Sequence, residues 1–484
     1  MANQISNKVF SGFFWKFSER ILAQLISFIV SIVLARILSP DDYGLVAMGM
    51  VFINIANVFV ANGFSAALVQ KQDVDEKDFS TIFFISLAIS IVLYVLLFFC
   101  APYIAKFYNS PLLCDVLRVY GFILPLSAYK SIQNAHVTKT LDFRKFFFST
   151  LTGTVVSAVV GIIMAIKGFG VWALVAQYFT NNIIDSVVLT FTIEWKPKLV
   201  FSKKNALPLL SYGSKILGAD LLGTIYNQLN AFLIGKKYTP SDLAYYTRGK
   251  QFPDLISTNI NVSLTSVLFP AFSIVSDDYE NVKKMGSRAI KVSAFVLLPF
   301  YFGLISVSSN LVKILLTDKW LFCVPFLMIM CVNGIIGVLD TIDIQLLKAI
   351  GKSETVLKIE FIKKPLYLII TLLALKFNLY ILAATVPISS VIAVLINSYC
   401  VNKYIGYSLW SKIKEVLKSF MSALLMGSSV YLLNYLSINI YAIFTLQIIA
   451  GVGLYILLSV LLKNESMKYL LSILKRSKTD ENTN

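Results

Sequence analysis

Apolar runs of roughly 20 residues, separated by short polar breaks, fill this chain from end to end. A bilayer-crossing helix needs about 20 mostly apolar residues, and windows of that length predict fourteen spans. They lie near 11–37, 44–68, 81–104, 112–134, 146–167 and 170–193 in the first part of the chain. The rest lie near 209–235, 243–275, 286–314, 322–347, 355–376, 379–402, 415–436 and 440–462. The longest break, roughly 15 residues around Glu194–Pro208, leaves no room for a soluble domain. The first apolar stretch is too long for a signal-peptide core and lacks a convincing cleavage site, so it is expected to be a retained span. The predicted fold is therefore an all-α integral membrane protein.

Polar punctuation shows that the pattern repeats. Ser39-Pro40-Asp41-Asp42-Tyr43-Gly44 returns 200 positions later as Thr239-Pro240-Ser241-Asp242-Leu243-Ala244, each copy closing one apolar run and opening the next. Six apolar segments separate the copies, and an even number of crossings gives both halves the same orientation. This predicts a parallel repeat: six-helix lobes over 1–204 and 205–403, two further helices over 404–463 and a polar cytoplasmic tail over 464–484. Transporters of this build place the substrate site near the interface of the repeats.

Composition sharpens the class. The chain is 57% hydrophobic and carries a formal net charge of +17. The charge is not spread like a nucleic-acid footprint. With the N-terminus inside, roughly three quarters of the Lys and Arg fall on cytoplasmic loops, tails or span ends. Lys139/Arg144/Lys145, Lys196/Lys198/Lys203/Lys204 and Lys475/Arg476/Lys478 are examples. The bias predicts both termini in the cytoplasm and contact with anionic membrane lipids, with no nucleic-acid partner. The cysteines Cys100, Cys114, Cys323, Cys331 and Cys400 have neither metal-ligand nor CxxC spacing and read as small apolar residues.

Signs of chemistry are weak. Gly351-Lys352-Ser353 lacks the upstream glycine of a phosphate-binding loop, since Leu346 stands there. His136, the single histidine, falls in a cytoplasmic-side loop and supports neither a triad nor a zinc site. No enzyme, cofactor or metal centre is expected.

Polar side chains inside spans are costly, so their spacing is informative. Lys16, Arg20, Gln24, Ser27 and Ser31 share one face of the first span, at steps of three or four. The equivalent seventh span carries Asp220, Thr224 and Asn227 on one face, and the eighth carries Lys250, Asp254, Ser257, Asn261 and Thr265. Its partner, the second span, holds Asn54, Asn57 and Ser65. Four stripes at repeat-equivalent positions predict a hydrated cavity. Against this stands the reading that Lys16 and Arg20 snorkel to the interface while the amides only hold helices together. Asp340 and Asp343 form a second cluster that either binds Na⁺ or H⁺ or pairs with Lys348. Lys363-Lys364-Pro365 reads as snorkelling cations that end a turn.

The stretch Leu34-Ala-Arg-Ile-Leu-Ser-Pro-Asp-Asp-Tyr-Gly44 resembles the signature hairpin of bacterial polysaccharide transporters, the Wzx-type O-antigen flippases. Leu141-Asp-Phe-Arg-Lys145, Gly168-Phe-Gly-Val-Trp-Ala-Leu-Val175, Trp195-Lys-Pro-Lys-Leu199 and Leu268-Phe-Pro-Ala-Phe-Ser273 are similar to further blocks of that family. The likeness covers the first 280 residues; the final third matches in hydropathy alone. The larger superfamily includes drug/toxin extruders and the lipid II flippase. The resemblance implies two six-helix lobes plus two C-terminal helices, alternating access in the bacterial inner membrane, and an undecaprenyl-pyrophosphate-linked oligosaccharide as substrate. Polysaccharide polymerase or assembly proteins are the partners it implies. On that reading Lys16, Arg20 and Lys250 hold the pyrophosphate. Gln24, Asn54, Asn57, Thr224, Asn227, Ser257 and Asn261 replace water around the sugars. Asp220 or the pair Asp340/Asp343 is the candidate site for a coupling cation. The rivals are a multidrug or organic-cation exporter, whose site should be acidic and aromatic, and a scaffold of a polysaccharide assembly complex, which leaves the stripes unexplained.

Overall fold

The computed structural model describes residues 2–61, 63–274 and 278–467. The regular elements among them are helices. By packing, the chain divides into two compact units, Met1–Ala244 and Tyr245–Asn484. The first holds α1 (Ala2–Ile37), α2 (Pro40–Ala61), α3 (Gly63–Gln70), α4 (Glu76–Phe107), α5 (Leu112–Gly121), α6 (Ile123–Thr140), α7 (Phe143–Ile166), α8 (Val171–Thr192) and α9 (Lys203–Lys237). The chain passes into the second unit along α10 (Pro240–Ile274) and continues through α11 (Tyr279–Leu316), α12 (Val324–Ala349), α13 (Ser353–Ala374), α14 (Leu379–Ile405), α15 (Leu409–Leu432) and α16 (Ile440–Leu461).

Ten helical stretches among the described residues are long and apolar enough to cross a membrane. The other four expected crossings fall on α8, α9, α10 and α13, of 22, 35, 35 and 22 residues. Their lengths suffice, but polar and charged positions lower their apolar content. Two expectations need correction. His136 lies within α6, its ring 5.4 Å from Phe79 and 6.5 Å from Trp195, and not in a loop. Pro365 lies inside an unbroken α13, so no turn ends there.

The repeated hairpins fold alike because both carry the same reciprocal cap. Asp42 Oδ2 accepts from the Ser39 amide at 3.0 Å and the Ser39 hydroxyl at 2.6 Å, and the Asp42 amide donates back to Ser39 Oγ. In the second copy Asp242 Oδ2 accepts from the Thr239 amide at 3.1 Å and hydroxyl at 2.8 Å, and the Asp242 amide donates to Thr239 Oγ1. Proline at the first helical position has no amide to satisfy, which suits it to both sites. The copies also meet: Ser241 Oγ donates to Asp41 Oδ1 at 2.7 Å. A Cβ on Gly44 would lie 1.8 Å from the Pro240 carbonyl oxygen, so this junction requires glycine.

Within the first unit, α7 presents Ser149, Gly153, Ser157, Gly161 and Ala165 at every fourth residue, a small-residue face on which α8 packs. A Cβ on Gly161 would stand 2.9 Å from Gln177 Cβ. α9 approaches α3 backbone to backbone, with the Cβ position of Gly63 only 2.6 Å from the Gly213 carbonyl oxygen. That contact draws α9 into the first unit, so the packing division lies one helix beyond the lobe boundary expected at 204/205.

In the second unit Tyr301 of α11 lies against Gly334 of α12, where a Cβ would come within 2.3 Å of its ring. Asn310, Asn434 and Gln447 tie α11 to α16: Asn310 Nδ2 donates to Asn434 Oδ1 at 2.7 Å and to Gln447 Oε1 at 3.0 Å.

Candidate functional site

α2, α3, α6, α8 and α9 enclose a cavity of about 650 Å³ in the first unit. Asn57, Ser65, Ser127, Lys130, Ser131, Asn134, Asn182 and Asp220 supply its polar lining. A second cavity of about 280 Å³ is walled by Asn54, Asn57, Thr224, Asn227 and Gln228, and Asn57 borders both. The structure thus brings together Asn54, Asn57, Thr224, Asn227 and Asp220, which sequence spacing had placed on two separate helices.

Helix periodicity explains how these groups converge. Asp220, Thr224 and Asn227 share one face of α9, and Asn54 and Asn57 share one face of α2, so packing α9 on α2 aligns the two stripes. Ser127, Ser131, Asn134 and Thr138 add a face of α6 at the same period. Some of these groups are strongly coordinated and others are not. Lys130 Nζ pairs with Asp185 Oδ2 at 2.5 Å. The buried oxygens Asn57 Oδ1, Asn134 Oδ1 and Asp185 Oδ1 have no hydrogen-bond partner among the described residues. Buried amide and carboxylate oxygens are costly to leave unsatisfied, which suits a wall that a polar ligand or water completes.

The α1 stripe lies elsewhere. Lys16, Arg20 and Gln24 do not border either cavity, because α1 packs on α7. Lys16 is exposed, pairs with Glu19 at 2.7 Å and rests 4.6 Å over the Phe146 ring, while Arg20 is half-buried. Lys130 is not among the residues that the repeat marks, but the α6 face beside it carries a sequence signal: Ser127, Ser131, Asn134 and Thr138 are as periodic as the stripes on α1, α2, α9 and α10.

In the second unit Lys250 is half-buried and Asp254, one turn on, is exposed. Ser257 Oγ and the Tyr301 hydroxyl share a hydrogen bond of 2.6 Å. The side chain of Asn261 lies outside the described residues. Asp343 is fully buried, and its partner is Lys412 of α15 and not Lys348, which is exposed. Lys412 Nζ lies 2.6 Å from Asp343 Oδ1, and Ser398 Oγ donates to Asp343 Oδ2 at 2.6 Å. Asp340 Oδ1 accepts from Asn397 Nδ2 at 2.6 Å, and two turns earlier Ser390 Oγ donates to Asn333 Oδ1, also at 2.6 Å. Lys363 pairs with Glu360 at 2.7 Å. Beyond the end of α14, burial and then the Glu415 carboxylate, which accepts its proton at 2.6 Å, hold the Tyr407 phenol well above its usual range.

Comparison with known proteins gives a consistent picture. The family model described as polysaccharide biosynthesis protein matches residues 33–325. The chain is 25% identical to the succinoglycan biosynthesis transport protein ExoT of Rhizobium meliloti (strain 1021), over 68% of this chain and 66% of that protein. It is 24% identical to the teichuronic acid biosynthesis protein TuaB of Bacillus subtilis (strain 168), over 87% and 88%. It is 21% identical to the lipopolysaccharide biosynthesis protein WzxC of Escherichia coli (strain K12), over 75% and 74%. Among solved structures, the lipid II flippase MurJ superposes with a TM-score of 0.76 at 18% identity, covering 92% of this chain and 98% of that one. An inward-facing multidrug transporter of the MATE family superposes at 0.60 with 16% identity, over 79% and 94%. These two likenesses show a shared fold.

Proposed function

We propose that this chain, which belongs to the polysaccharide biosynthesis protein family, flips an undecaprenyl-pyrophosphate-linked oligosaccharide from the inner to the outer leaflet of the bacterial inner membrane. The observation that carries this reading is the amide- and hydroxyl-lined cavity pair of the first unit, with unpartnered oxygens at Asn57 and Asn134. Sugars and a pyrophosphate cannot cross hydrocarbon bare. Asn54, Asn57, Thr224 and Asn227 replace water around the sugars, and the polyprenyl tail stays in lipid. None of the three cations that the sequence suggests for the headgroup, Lys16, Arg20 and Lys250, borders these cavities.

Alternating access opens such a site to one leaflet and then the other. With both termini inside, an inside-negative potential of about 100 mV favours outward movement of about two negative charges by roughly 4–5 kcal/mol. A coupling cation, Na⁺ or H⁺, would sit better at Asp220 or Asp340 than at Asp343, whose counter-charge is Lys412. The multidrug reading calls for acid-dominated, aromatic walls; amides and hydroxyls dominate here.

Reconstituted protein tests this. In proteoliposomes an undecaprenyl-pyrophosphate oligosaccharide should change leaflet faster when a potential is applied across the membrane in the favourable direction, and Asn227→Leu should slow it about tenfold, the cost of losing one hydrogen bond that contributes fully to binding. Transport of organic cations with the glycolipid left in place would refute the assignment.

A further inference from the structure

Lys130 and Asp185 differ from the other buried ion pairs in one respect. Asp343 has both carboxylate oxygens satisfied, by Lys412 and Ser398, and all three groups are sealed from solvent. Asp78 is likewise held by Lys71, Asn205 and the Asp75 amide. Asp185 is only 4% exposed, yet Lys130 holds one of its oxygens and the other, Oδ1, has no partner among the described residues. Lys130 itself lines the 650 Å³ cavity, its side chain 26% exposed beside Asn134 and Asn182. A pair built to hold helices together satisfies the remaining lone pairs, because a half-satisfied buried carboxylate gives up stability. An ammonium also carries three N–H donors and can serve a ligand while it serves a carboxylate.

We propose that Lys130 is the cavity's contact for the substrate's phosphate and that Asp185 is its resting counter-ion, displaced as the anion binds. The assignment rests on the flippase reading and deepens it. The pair joins α6 to α8. A pyrophosphate oxygen entering beside Asn134 draws Lys130 off Asp185 and forms the charge-assisted hydrogen bond in its place. The abandoned carboxylate is buried and poorly solvated, so the exchange opposes overly tight binding. When the headgroup leaves, the pair re-forms, which favours release. A carrier needs this balance, since it must bind and let go in each cycle.

The test uses the full chain in nanodiscs, with undecaprenyl pyrophosphate as probe and undecaprenol, the same chain without an anion, as control. Lys130→Met should weaken binding of the pyrophosphate about tenfold or more, the effect of losing a charged hydrogen bond. Asp185→Asn should act in the opposite direction, tightening binding about three- to tenfold while slowing release, because it removes the competitor. Lys130→Met/Asp185→Asn should melt like the wild type and still bind weakly, which separates a binding role from a structural one. Equal weakening in both single variants, or unchanged binding in folded Lys130→Met, overturns the assignment and leaves the flippase reading standing. A wild-type protein that binds undecaprenol as well as undecaprenyl pyrophosphate overturns both.

Discussion

Around α12, α14 and α15, Asp343, Ser398 and Lys412 satisfy one another inside the second unit, and along the α12–α14 pair Asn397 and Ser390 each donate to one oxygen, of Asp340 and Asn333. Around α2, α6 and α9 of the first unit, Asn57 and Asn134 keep a buried oxygen without a partner and face open space. Both regions place polar side chains among apolar helices at helical spacing. The difference lies in what completes them. Where the partner is another side chain, the group holds the fold. Where the partner is missing and a cavity lies alongside, the group is free to meet a ligand. Polarity within a span therefore marks expense, and only pairing tells which purpose the expense serves.

The contrast fails if the two regions respond alike to loss of a polar group. The largest effect is expected at Lys412. Lys412→Met leaves Asp343 buried without its cation and should lower stability by about 3–5 kcal/mol, read as a falling melting temperature in detergent. Restoring it with Lys412→Met/Asp343→Leu would confirm that the pair is structural. Unchanged melting in the single variant would place these residues with the functional ones.

Asn57 should behave in the reverse way. Asn57→Leu removes an amide whose buried oxygen has no partner among the described residues, so melting should hold or rise. Glycolipid transport should fall about tenfold, since the group borders both cavities. Lost stability with normal transport in the surviving protein would mean that Asn57 only holds helices together.

The smallest effect compares the repeats directly. Ser39→Ala and Thr239→Ala each remove a cap of the same geometry and should each cost about 1 kcal/mol. Matched losses in chemical denaturation would show that the copies are energetically as well as geometrically equivalent. A loss confined to one copy would show that their surroundings have diverged.

Much of the helical framework was legible in the sequence. Inside a bilayer the backbone must satisfy its own hydrogen bonds, so each crossing forms as a helix from its local apolar content. The caps at Ser39/Asp42 and Thr239/Asp242 are local too, three residues from donor to acceptor, and the repeat could be read directly. The stripes on α2 and α9 were legible because helix period alone sets which residues share a face. What the sequence could not supply was the rotation and pairing of the helices. Asp343 and Lys412 lie on helices separated by two others in the chain, and Lys348 was the nearer cation in sequence; only packing decided between them. Small residues such as Gly63 and Gly213 set how closely α3 and α9 approach, and that approach carried α9 into the first unit. The stripe on α1 is as regular as that on α9, yet the cavities border α9 and neither borders α1. Secondary structure in a membrane is a property of each segment, whereas the satisfaction of a polar side chain is a property of its neighbours, and those exist only once the helices have packed.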